Sequence, residues 1–100
     1  MKDKYTWIVI IDNGQSYSDN CHWVGCVCET EGQADQAVLA FNVWKEKVLA
    51  ARKKGEASEI IRVAFPCPLE WEGEWIYDIT WGLNRHTATP AKTLVWKGKS

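Results

Sequence analysis

The chain has 100 residues, 46% of them hydrophobic and 25% charged, with a formal net charge of −1. That length fits one domain, residues 1–100, able to bury its own core without a disulfide or a structural metal. The near-neutral balance lacks both the basic stripe of a nucleic-acid binder and the acidic excess of a DNA mimic.

The first apolar run spans only Trp7 to Ile11, too short for a signal-peptide core. No stretch approaches the ~20 apolar residues of a membrane span. A cytoplasmic protein with reduced cysteines is the expectation. Tyr5 to Ile11 is β-branched and aromatic throughout and predicts a buried strand. Asp12-Asn13-Gly14 is a turn signal, repeated as Asp19-Asn20, and the second strand, Cys21 to Cys28, completes a hairpin with a polar loop.

Cys21-His22-Trp23-Val24-Gly25-Cys26-Val27-Cys28 crowds three thiols, an imidazole and an indole together. On a regular strand Cys26 and Cys28 share a face about 6.6 Å apart. Two thiolates on one zinc sit about 3.8 Å apart, so this spacing argues against a shared metal and against a disulfide. Cys21 falls on the other face with Trp23 and Val27. The stretch therefore reads as a central strand, apolar on both sides, that uses cysteine as a small hydrophobe.

Thr30-Glu31-Gly32-Gln33 fits a capping box, and helix is expected from Glu31 to Lys54, stopped by Gly55. At 100° per residue, about the helical repeat, Ala34, Ala37, Val38, Phe41, Trp44, Val48 and Ala51 share one face, the core side. Leu39, Val43 and Ala50 form a second apolar stripe nearly opposite. Glu59 to Phe65 alternates like a third strand, ended by Pro66-Cys67-Pro68, and Glu74 to Trp81 like a fourth. A loop is expected through Pro90, and then Thr93 to Trp96 adds an edge strand or covers a neighbour. The order β-β-α-β-β predicts an α+β fold: an antiparallel sheet of four to five strands with one long helix on a face.

No catalytic constellation stands out. A Cys67–His86 nucleophilic pair would rest on two isolated loop residues. Glu70, Glu72 and Glu74 come from one short segment, whereas glycosidase carboxylates flank a cleft. Attention moves instead to contact residues. Leu39, Val43 and Ala50, with Trp71, Trp75 and Trp96, are the candidate partner-binding set, because solvated monomers seldom leave such apolar stripes open and Trp is enriched at hot spots. For Trp71 and Trp75 the competing role is to cap the core. For the helix stripe it is cover by the Leu94-Val95-Trp96 tail.

The run Ile8-Val9-Ile10-Ile11-Asp12-Asn13-Gly14-Gln15-Ser16-Tyr17-Ser18-Asp19-Asn20, followed by Trp23 to Thr30 and an Ala-rich helix start, resembles small phage and prophage accessory proteins. The resemblance covers about the first half of the chain. It implies a compact strand–loop–strand–helix beginning and a role in the host cytoplasm. By analogy with anti-defence and anti-CRISPR proteins of this size, it implies action by binding.

The expectation is thus a small non-enzymatic protein, without cofactor or metal, that inhibits or modulates a host protein and can also form a homodimer. The alternative is a small-ligand or nucleotide-binding module using Asp12, Tyr17 and Asp19, and behind it a zinc-stabilised interaction domain.

Overall fold

The computed structural model describes residues 5–14, 21–73, 75 and 82–94. Strand β1, Tyr5–Asp12, pairs antiparallel with β2, His22–Cys28, and with β3, Thr87–Leu94, in the order β2-β1-β3. Helix α1, Glu31–Lys53, and a short helix α2, Ser58–Ala64, accompany this sheet. The α+β class and the long helix are therefore as expected, but the described sheet has three strands.

The β-branched and aromatic content of β1 places it at the sheet's centre. Its core side carries Val9 and Ile11, both fully buried. The turn after it follows from Asp12-Asn13-Gly14. The Asp12 carboxylate accepts from the Gly14 amide at 2.7 Å, and the Asn13 side chain accepts from the Cys21 amide at 3.1 Å. Gly14 takes φ +74°, and a side chain there would strike the Arg85 carbonyl.

β2 departs from the expected regular, central strand. It lies at an edge of the described sheet, and its register slips: Val9 faces Cys26 while Ile10 faces Val24, leaving Gly25 as a β-bulge. The extra residue flips the alternation. Trp23, Cys26 and Cys28 therefore lie on the core side opposite Ile11, Val9 and Trp7, and His22, Val24 and Val27 lie on the other. Trp23 thus joins the cysteines instead of opposing them, and Val27, 68% exposed, shows that the second face is open. A Cβ on Gly25 would meet Ile11 Cδ1 at 2.9 Å, so a side chain there would have to displace the buried Ile11.

The capping box forms with one change. The Thr30 hydroxyl accepts from the Gln33 amide at 3.2 Å, and the Gln33 side chain accepts from the Glu29 amide at 2.8 Å, one residue before the cap. At the far end Gly55, φ +90°, follows the cap residue Lys54. Between them, Ala34, Phe41, Trp44, Val48 and Ala51 are buried as the periodicity requires. Most of this face joins Ile11, Trp23, Ile61, Trp75 and Leu83 in one core, while Ala34 packs with Val9 and Cys28.

The largest correction is at Glu59–Phe65, which is helical over Ser58–Ala64. Ile61 and Phe65, four residues apart, face inward as one helical stripe, while Ile60 and Val63 are 60% and 83% exposed. The strand expected over 74–81 lies outside the described residues, Trp75 apart. The last strand starts at Thr87, earlier than expected, and runs through Pro90, which faces Val9. Its position at an edge of the described sheet is where proline's missing N–H is tolerated.

Candidate functional site

The stripe Leu39, Val43 and Ala50 faces outward, with Leu39 57% and Val43 45% exposed. Beside Leu39 and Val43 lies a groove of about 510 Å³, closed on its far side by Ala64, Phe65, Pro66 and Pro68. Its geometry follows from the residues beneath. Trp44 packs into the core and donates its indole N–H to the Phe65 carbonyl at 2.6 Å, pinning the segment after α2 against α1. A second hollow of about 340 Å³, lined by Ala50, Ala51 and Lys54, shares Lys47 and Phe65 with the first. The two adjoin along α1 as a mainly apolar channel whose rim carries Lys47, Lys54 and Glu56. α2 adds Ile60 and Val63 to the exposed apolar surface. Strand periodicity had placed those two in a sheet, so the sequence offered no reason to count them among contact residues.

The indoles behave differently. Trp23, Trp44, Trp71 and Trp75 form a connected cluster with ring centroids 5.3–6.0 Å apart. Trp75 is only 9% exposed and donates to the Ser58 carbonyl at 3.2 Å, so it is core and holds the start of α2. Trp23 donates to the Glu70 carbonyl at 2.7 Å, and the Glu70 amide donates to the Gly25 carbonyl, fastening residues 69–71 over the bulge. Trp71 is half-buried and stacks on His86 at 4.9 Å. Of the two roles open to these indoles, Trp75 fills the core-capping one, while Trp71 packs against the same core and stays partly exposed. Trp96 lies outside the described residues.

His86 is 1% exposed, and its Nδ1 donates to the Gly82 carbonyl at 2.8 Å. Its Nε2 has no hydrogen-bond partner, so neither ring nitrogen bonds to Cys67. Burial also pushes the Cys67 thiol up, away from the nucleophilic thiolate. Lys45 reaches from α1 to this turn and donates to the Asn84 and His86 carbonyls at 3.1 and 2.8 Å; burial lowers its pKa. For the ligand-site alternative, Asp12 serves the turn at Gly14, and Tyr17 and Asp19 lie outside the described residues.

The thiols correct the sequence geometry. Cys26 Sγ and Cys28 Sγ lie 3.7 Å apart, hydrogen-bonded to one another. Cα spacing bounds the backbone alone, and side chains on one face can lean along the strand and close the gap. The separation suits a shared metal after all, but two thiols are half a tetrahedral set. Among the described residues no group of three His, Cys, Asp or Glu side chains comes together.

No helix among the described residues is long and apolar enough to cross a membrane. No protein-family model matches the chain, and no curated protein or solved structure matches it.

Proposed function

We propose that this chain is a non-enzymatic binding protein of the phage-accessory kind, which engages a host protein through the channel beside α1 and thereby inhibits or modulates it. Host defence complexes such as CRISPR-Cas are the target class that the resemblance implies. The observation that carries the reading is the open groove of about 510 Å³ with Leu39 and Val43 exposed on its wall. An apolar groove beside a rigid helix accepts an amphipathic segment of a partner. Lys47 on the groove's wall favours a segment that carries an acidic residue opposite it.

The test is affinity capture from bacterial lysate with the wild-type chain and with a Leu39→Lys/Val43→Lys double variant. The reading expects a partner retained by the wild type and lost by the variant, with both proteins melting at the same temperature. Equal recovery on both would sink it.

A second reading is favoured by the charge order of α1, which begins with Glu31 and Asp35 and ends with Arg52, Lys53 and Lys54. Two copies laid antiparallel along this face would set each acidic end against the other's basic end. Sedimentation showing a dimer that the double lysine variant abolishes would support it, and a concentration-independent monomer would dismiss it.

A further inference from the structure

We propose that Cys26 and Cys28 are a redox-active pair that closes to a reversible intrastrand disulfide by exchange with a low-molecular-weight disulfide. The pairing is already built. The two Sγ atoms are 3.7 Å apart, and among the described residues theirs is the one thiol–thiol contact shown. Their Cα atoms, two positions apart on a strand, span about 6.6 Å. That is near the upper end of the Cα range a disulfide bridges, and the Cβ atoms must also draw in to about 4 Å. Closure therefore has to pucker the strand next to the Gly25 bulge, and the strained bond stays easy to reduce.

The two thiols are not equivalent. Cys26 is half-buried and reachable, while Cys28 is 9% exposed and packs with Val9 and Ala34. This asymmetry assigns the steps. The Cys26 thiolate attacks one sulfur of the incoming disulfide, forming a mixed disulfide and expelling one small thiolate. Cys28 then gives up its proton and attacks the Cys26 sulfur, expelling the second. Two protein thiols are oxidised by two electrons, the small disulfide becomes two thiols, and the protons from Cys26 and Cys28 end on those leaving groups. Excess small thiol runs the sequence backward. Burial, together with the hydrogen bond and charge of Cys28, pushes the Cys26 thiol up to about 11. The attacking thiolate is therefore scarce at neutral pH, and the rate should rise about tenfold per pH unit between 7 and 10. The inference is independent of the groove and of any partner.

The experiment uses the reduced full chain carrying Cys21→Ser and Cys67→Ser, exposed to oxidised glutathione without air across that pH range. Alkylation and peptide mass mapping read the products. The expected result is loss of two hydrogens from the peptide holding both cysteines, full reversal by reduced glutathione, and the stated rise with pH. Adding Cys28→Ser should trap a glutathione adduct on Cys26. Full alkylation of both cysteines after exposure, or an adduct that persists with Cys28 present, overturns the proposal.

Discussion

The two faces of α1 are both apolar, yet they do opposite things. One carries Phe41, fully buried, and Trp44, 5% exposed, against the sheet and the tryptophan cluster. The other carries Leu39 and Val43, 57% and 45% exposed, along an open channel. Hydrophobicity alone does not separate them. What does is whether another element of the described chain covers them, so the core face should govern stability and the outer face association.

Substitutions can break or sharpen that contrast. Phe41→Ala should have the largest effect, about 3–5 kcal/mol of lost stability, because the ring leaves a cavity that the sheet cannot fill. Denaturant unfolding would measure it, and a loss under about 1 kcal/mol would place Phe41 outside the core. Trp44→Phe keeps most of the packing but strands the Phe65 carbonyl, costing about 1–3 kcal/mol. Because that bond holds the groove's far wall, partner binding should weaken as well, which calorimetry can separate from stability. Thr30→Ala removes the cap hydroxyl and should cost about 1 kcal/mol, with faster amide exchange confined to the first turn of α1. Leu39→Lys with Val43→Lys should move stability by no more than about 0.5 kcal/mol, while partner affinity falls by more than about tenfold. A large drop in melting temperature for that pair would mean that the outer stripe is core after all.

How far the sequence could be trusted varied along the chain for physical reasons. α1 was legible because its signals are local and numerous: a capping threonine, a helical repeat sustained over many turns, and a glycine stop. Glu59–Phe65 misled because seven residues cannot separate the two periods. Ile61 and Phe65 are in step both as alternate strand residues and as successive turns of a helix. Glu59 in the first turn and Arg62 in the last suit the helix that formed, but two charges are too weak a signal to set against the alternation. β3 was missed from Thr87 to Lys92 because Thr87-Ala88-Thr89-Pro90 carries little apolar alternation and a proline. Its pairing with β1 is a long-range event that no local pattern announces. The groove was legible only in part. The outer stripe was visible in the helical projection, but its far wall depends on where α2 and the prolines come to rest.

By itself, then, the sequence determined β1, the hairpin turn, α1 with both its caps and the identity of the two apolar faces. The caps and the Asp12–Gly14 turn rest on contacts within a few residues, and β1 and the two faces of α1 announce themselves by composition and period. Only the tertiary structure decided that Gly25 is a bulge, that Trp71 and Trp75 belong with the core, and that the Cys26 and Cys28 sulfurs touch. Those outcomes turn on register against β1, on carbonyls that accept the indole N–H groups, and on the lean of side chains, none of which a one-dimensional pattern encodes.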